Sequence, residues 1–170
     1  MIYLNIGSNL DSRLGKRIDN IKYAIQSIKK YGIIILKTSS IYETPSYPNS
    51  VFPKFLNIGI KVKSKLTPED LLSRIKYIEK RIGRVKKVTN FPRVCDIDII
   101  DFKGIVKKTK QINIPHPRLH IRNFVLFPMR DLNPEWRHPI TNKKINDLIS
   151  DLNLNLRIQI TRLAKSDIIN

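Results

Sequence analysis

Phe91-Pro92-Arg93-Val94-Cys95-Asp96-Ile97-Asp98-Ile99-Ile100 reads as a β-strand with charge on one face. Successive side chains alternate across a strand, so Asp96 and Asp98 share a face. Their Cα atoms lie about 6.5 Å apart at ordinary strand rise. Two carboxylates that close repel each other unless something positive stands between them. A hard divalent ion meets that need, and Mg2+ prefers one or two carboxylates completed by phosphate oxygens and water. Arg93, just before the strand, carries a planar fork suited to phosphate. Val94, Ile97, Ile99 and Ile100 make the strand apolar enough to be well buried. Cys95 alternates away from the two Asp side chains and reads as a small buried hydrophobe rather than a nucleophile. Taken alone, Asp-x-Asp is more often a solvated strand edge. The apolar interleaving and the rest of the chain argue for a site.

Working outward, 170 residues suit one domain, 1–170, with a sizeable core. No apolar run is long enough to span a membrane, and the N-terminus lacks the features of a signal peptide, so a cytoplasmic protein is expected. The single cysteine excludes an internal disulfide and suits a reducing compartment. The net charge of +18, from 32 Lys+Arg against 14 Asp+Glu, favours anionic ligands. The same chain is rich in Lys, Ile and Asn, residues that an AT-rich genome tends to encode, so charge alone decides nothing.

Before the central stretch, Ile2 to Gly7 alternates as a strand, and Gly7-Ser8-Asn9-Leu10-Asp11 is a turn-rich group able to cap a helix. Ile18, Ile21, Ala24, Ile25 and Ile28 recur at helical spacing, and Gly32 ends that helix. Ile33 to Tyr42 is β-rich, Thr44 to Pro53 is a proline-bearing loop, and Phe55 to Val62 is a strand. Thr67-Pro68-Glu69-Asp70 starts a second helix, with Leu71, Leu72, Ile75, Ile78 and Ile82 as its buried stripe and Gly83 as its stop. After the central strand come a turn at Lys103-Gly104 and a short extended piece at Ile112 to Pro115. A basic segment, His116 to Arg122, leads into a packed helical turn at Asn123 to Met129. A short helix at Lys144 to Leu152 and a last strand at Arg157 to Leu163 complete the chain. The order β-α-β-β-α-β predicts an α+β, ferredoxin-like sandwich with a mostly antiparallel sheet and helices packed on it.

Several motifs stand in one order: Gly7-Ser8-Asn9-Leu10, Ser40-Ile41-Tyr42-Glu43-Thr44-Pro45, Phe55-Leu56-Asn57, Ile78-Glu79, Gly83-Arg84, Pro92-Arg93, Asp96-Ile97-Asp98-Ile99, Pro115-His116-Pro117-Arg118 and Arg122-Asn123-Phe124-Val125-Leu126-Phe127-Pro128. With them the sequence resembles the hydroxymethyldihydropterin pyrophosphokinase family of folate biosynthesis, from Ile2 to about Leu148. The resemblance implies transfer of a pyrophosphoryl group from MgATP to the hydroxymethyl group of a reduced pterin, with release of AMP. It implies two Mg2+ ions on Asp96 and Asp98 and ATP as co-substrate. It also implies small-molecule substrates, no membrane or nucleic-acid partner, and a monomer.

No Gly-x-x-x-x-Gly-Lys motif occurs, so side chains must hold the phosphates. Arg84, Lys86, Arg93, His116 and Arg122 are the candidates, with Arg84, Lys86 and Arg93 in catalytic roles. The resemblance adds Leu72, Lys76, Glu79 and Ile99 to the nucleotide site. For the pterin it implies Thr44, Pro45, Tyr47, Phe55, Asn57, Phe91 and Phe124, with Phe55 and Phe124 sandwiching the ring. Asn57 shares a strand face with Phe55, so its amide can address the ring edge.

The chain departs from the family in the segment Gly83 to Arg93. Lys86 replaces an arginine, Asn90-Phe91 replaces an Arg-Trp-Gly run, and the segment is one residue shorter. Lysine is a point charge rather than a fork, phenylalanine lacks the indole N–H, and a hinge glycine is gone. A slower enzyme with both metal carboxylates intact is expected. A catalytically impaired relic of the fold and a basic RNA-binding module are the alternatives. The aromatic strand motif of RNA-binding ferredoxin-like sheets is missing from the sequence.

Overall fold

The computed structural model describes residues 1–46, 50–85 and 91–163. Within them lie β1 (Ile2–Ser8), α1 (Arg17–Lys30), β2 (Ile34–Thr44), β3 (Phe55–Lys63), α2 (Pro68–Ile82), β4 (Asp96–Phe102), β5 (Lys107–Lys108), β6 (Asn113–Ile114), α3 (Asn123–Leu132), α4 (Ile145–Asp151), α5 (Leu154–Ile158) and β7 (Thr161–Arg162). Five strands form one sheet in the order β4-β1-β3-β2-β7, and each adjacent pair is antiparallel. The first four strands thus have the order and the β-α-β-β-α-β succession expected of the ferredoxin-like sandwich.

Local chemistry explains the two long helices. Thr67 accepts a hydrogen bond from the Asp70 N–H at 3.1 Å, Pro68 opens α2, and Gly83 closes it at φ +114°, a left-handed conformation that glycine takes without a Cβ clash. For α1, Asp19 accepts from the Lys16 N–H at 2.9 Å and Asp11 accepts from the Arg17 N–H at 3.0 Å. Of the turn-rich group Gly7 to Asp11, Asp11 serves the start of this helix, which begins several residues later, while Ser8 Oγ and the Leu10 carbonyl accept from Asn20 Nδ2 within it.

The sheet has two unlike faces. Ile2, Leu4 and Ile6 of β1, Leu56, Ile58, Ile60 and Val62 of β3, and Ile97 and Ile99 of β4 join α1 and α2 in one dry cluster. That cluster also takes in Cys95, fully buried as expected. On the other face Tyr3 and Ile100 pack with α3 and α4. Gly59 belongs to this second face, where a Cβ would lie 2.9 Å from Pro128 Cβ and 3.0 Å from Leu132 Cδ1. Its missing side chain lets α3 lie directly on β3.

Three expectations need correction. The central strand begins at Asp96, so residues 91–95 approach it without joining the ladder. Asn123 to Met129 is no single turn but the larger part of a ten-residue helix, α3, built on Val125, Leu126, Met129 and Leu132. The final segment is mostly not strand: Asn153 accepts from the Leu156 N–H at 2.9 Å and starts α5, leaving only Thr161 and Arg162 to pair with β2. A side-chain cap there outweighs the β-branched pattern.

Candidate active site

The β1–β4 register builds the site floor. Gly7 pairs with Asp96 and Asn5 with Asp98, so these four residues share the α3-side face. On the neighbouring strand Asn57 pairs with Gly7, and a Cβ at Gly7 would lie 3.0 Å from Asn57 Oδ1 and 3.6 Å from the Phe55 ring. Glycine thus keeps open the space between the carboxylates and the Phe55–Asn57 pair. Asn57 donates through Nδ2 to Thr44 Oγ1 at 3.2 Å, which leaves Oδ1 as its free-facing acceptor.

The close cations gather on Asp96 and do not bridge the two carboxylates. Arg84 donates to Asp96 Oδ1 at 2.6 Å and Arg93 to Asp96 Oδ2 at 2.6 Å. Arg84 also pairs with Glu79, and this double pairing raises the Arg84 pKa against a burial effect of opposite sign. Burial would lift Asp96, but Arg93, Arg84 and Lys76 overcome it and hold the carboxyl below its ordinary range. Asp98 lacks such close partners, with Arg122 Nη1 3.5 Å and His116 Nε2 4.0 Å from Oδ2. Burial, and then the charge on Asp96, push it up to about 6. His116 is pushed down to about 4 by burial and by Arg122 and Arg118, so it is neutral at physiological pH. Its Nδ1 accepts from the Arg118 N–H at 3.2 Å, and its Nε2 stands 3.4 Å from Arg122 Nη1 and 4.0 Å from Asp98 Oδ2.

Glu79 is the surprise of the α2 side. A glutamate on a helix is ordinarily exposed, yet Glu79 is 1% exposed. Its Oε1 accepts from the Ile97 N–H at 2.8 Å and from Arg84, and its Oε2 from Lys76 at 3.0 Å. It thus clamps the edge of β4 and sets the position of Arg84.

The donor chemistry fits Mg2+. Asp96 and Asp98 offer carboxylate oxygens, and opposite Asp98 the buried Oδ1 of Asn5 has no hydrogen-bond partner among the described residues. An all-oxygen set suits a hard cation. No group of three or more His, Cys, Asp or Glu gathers among the described residues, so two carboxylates would leave positions for water and phosphate.

Comparison with known proteins decides the family. A family model described as 7,8-dihydro-6-hydroxymethylpterin-pyrophosphokinase (HPPK) matches residues 3–134. The chain belongs to this family. It is 36% identical over 146 residues to the 2-amino-4-hydroxy-6-hydroxymethyldihydropteridine pyrophosphokinase of Aquifex aeolicus, covering 86% of this chain and 88% of that protein. It is 39% identical over 144 residues to the folic acid synthesis protein fol1 of Pneumocystis carinii, covering 85% of this chain but only 19% of that much longer one. The chain therefore spans about a fifth of that relative and most of the Aquifex one. Among solved structures, Plasmodium falciparum HPPK-DHPS shares the fold, with a TM-score of 0.71 over 95% of this chain and 44% of that one at 19% identity.

Against the HPPK frame, Arg84, Arg93, Asp96, Asp98, His116 and Arg122 come together, joined through Glu79 to Lys76. Thr44, Phe55 and Asn57 meet on the adjoining strands. Ile99 faces the dry core and Leu72 packs against it, both away from the carboxylates. Pro45 follows β2, and Phe124 opens α3 with the Arg122 guanidinium 5.3 Å from its ring centre. No ring contact joins Phe55 to Phe124 among the described residues; Phe91, half exposed, instead meets Phe52 at 5.8 Å. Tyr47 and Lys86 lie outside the described residues. Sequence reading missed Asn5, whose place opposite Asp98 follows only from strand register.

Proposed function

We propose that the chain transfers pyrophosphate from MgATP to the hydroxymethyl group of 6-hydroxymethyl-7,8-dihydropterin, giving AMP and the pterin diphosphate, in folate biosynthesis. The observation that carries this reading is the juxtaposition, on one sheet face of an HPPK chain, of a cation-flanked carboxylate pair with the Phe55–Asn57–Thr44 group.

In this reading Asp96 and Asp98 would hold two Mg2+ ions, which would supply charge neutralisation for the phosphates. Arg84 and Arg93 form one cationic wall and turn from Asp96 toward the phosphates, and Lys86 is assigned a catalytic role with them. Arg122 and neutral His116 form the other. Lys76 and Glu79 fix the wall at the α2 end, and Leu72 and Ile99 support the adenine side. Asn57 addresses the pterin edge, Thr44 and Pro45 supply loop contacts, and Phe55 and Phe124 stack on the ring, with Tyr47 and Phe91 completing the cover. The lone buried cysteine suits a reducing cytoplasm, and no helix among the described residues is long and apolar enough to cross a membrane.

The test is to incubate purified protein with MgATP, with and without the reduced hydroxymethyl pterin, and quantify AMP. AMP that appears only with the pterin, and is lost in Asp96→Ala and Asp98→Ala, is the expected result. Folded protein that binds ATP yet releases no AMP would overturn the reading in favour of an inactive relic.

A further inference from the structure

Asn5 sits between two strands, opposite Asp98 of β4 on one side and Gly59 of β3 on the other. Its neighbours along β1, Leu4 and Ile6, turn into the dry cluster, so alternation commits the Asn5 side chain to the face that carries Asp98. Gly59 has no side chain to offer it, and α3 lies on that glycine through Pro128 and Leu132. Directly opposed residues of an antiparallel pair bring their Cβ atoms to about 4.5–5.5 Å, which sets the Asn5 carboxamide beside the Asp98 carboxylate. Asn5 is 5% exposed, and its Oδ1 is the one buried side-chain oxygen or nitrogen without a hydrogen-bond partner among the described residues. The cations nearest Asp98, Arg122 and His116, turn to its Oδ2 and leave Asn5 Oδ1 unsatisfied. Buried acceptors are nearly always satisfied in folded proteins, so an orphan beside a carboxylate marks a place that a positive group completes.

We propose that Asn5 contributes its Oδ1 to the coordination sphere of the divalent cation at Asp98, as a third protein oxygen beside the two carboxylates. The inference rests on the proposed function above. Hard cations accept carboxamide as well as carboxylate oxygens. A carboxamide adds an oxygen without adding charge, so it strengthens the hold on a cation without deepening the repulsion between Asp96 and Asp98. The oxygen is unsatisfied in the free protein and satisfied by the ion, which ties a local cost in stability to a gain in affinity. A purely structural asparagine would behave in the opposite way. Each replacement would lower stability, and cation affinity would change only with the folded fraction.

The experiment is a titration of Mn2+ into an equimolar mixture of protein and a non-hydrolysable ATP analogue, with the free ion followed by electron paramagnetic resonance. Wild type, Asn5→Leu and Asn5→Asp are compared, and the denaturant midpoint of each metal-free protein is measured beside the titration. Asn5→Leu nearly keeps the volume and removes both polar atoms. It should bind Mn2+ about tenfold more weakly while its metal-free midpoint is no lower than that of wild type. Asn5→Asp adds a third negative charge. It should bind Mn2+ several-fold more tightly while its metal-free midpoint falls. The order of affinity is thus the reverse of the order of stability. Where Asn5→Leu folds poorly, Asn5→Asp carries the test, since a gain in affinity cannot come from lost folding. An Asn5→Leu protein with wild-type affinity, or an Asn5→Asp protein no tighter than wild type, would overturn the coordinating role alone, and pterin-dependent AMP release by wild type would leave the proposed function standing. Wild type that binds no more Mn2+ than the analogue by itself would overturn the metal pair and the role of Asn5 with it.

Discussion

The two faces of one sheet are built to opposite rules. On the α1–α2 side, Ile2, Leu4, Ile6, Ile58, Ile60 and Val62 meet helix stripes of the same kind, and their exposure is close to zero. On the opposite side, the same strands present Asn5, Gly7, Asn57, Asp96 and Asp98, which repel, leave an acceptor unpaired, or leave space. Alternation along β1 and β4 puts both rules into a single strand, one residue apart. The α1–α2 face is packed along the length of these strands, whereas the α3–α4 cluster covers only part of the other face and leaves its carboxylate end free to hold groups that are unfavourable until a ligand arrives.

Substitutions can break that contrast. Ile78→Ala, on the dry face, should cost about 2–5 kcal/mol, read as a lowered denaturant midpoint, with any lost activity following the folded fraction. Equal tolerance on the two faces would sink the comparison. Glu79→Gln probes the residue that links them, since it rises from α2 and reaches the Ile97 N–H and Arg84. The loss should be about 1–3 kcal/mol. Turnover should fall further than thermal stability predicts, because Arg84 loses its anchor; paired unfolding and AMP-release assays would separate the two effects.

Asp98→Asn should do the reverse and stabilise the metal-free protein. The folded pKa of about 6 lies above the ordinary 3.8, so the stability this group contributes is present below pH 4 and is lost as pH rises through 6. At pH 7 the variant should gain about 1–2 kcal/mol, seen as a melting point roughly 2–6 °C higher, with the gain absent near pH 3.5 and activity abolished. A variant no more stable than wild type at pH 7 would remove the idea that Asp98 is unfavourable as it stands. The smallest effect is expected far from both faces. Lys143 and Asp151 pair at 2.9 Å but are each more than half exposed, so Asp151→Ala should change the unfolding midpoint by no more than about 0.5 kcal/mol.

What could be read in advance follows from how local each signal is. The span of α2 is written in Thr67, Pro68 and Gly83, all near it in the chain, and the Asp96–Asp98 pairing needs only strand alternation. The shape of α3 was legible only in part, because its first residues look like a turn and its last are held by packing on β3. Of the two-residue strands, β6 and β7 fall inside stretches read as extended, at Ile112 to Pro115 and Arg157 to Leu163, while β5 has no period to detect. Asn9 looked like a turn residue because its hydrogen-bond partners, Ser46, Pro53 and Arg93, stand 37, 44 and 84 positions away. The burial of Glu79 likewise depends on β4 arriving beside α2. These are facts of pairing, and residue type alone does not encode them.

Gly59 bears on the history open to this chain. A single added methyl there would meet Pro128 and Leu132 and push α3, with Phe124 at its first turn, away from the sheet. The spacing of α3 from the sheet is therefore gauged by a hydrogen atom at a position that touches no proposed substrate. Drift that spares every reacting group can still close or open the cleft from that point, and an inhibitor filling the gap to its limit would meet resistance of a kind invisible in a catalogue of contact residues.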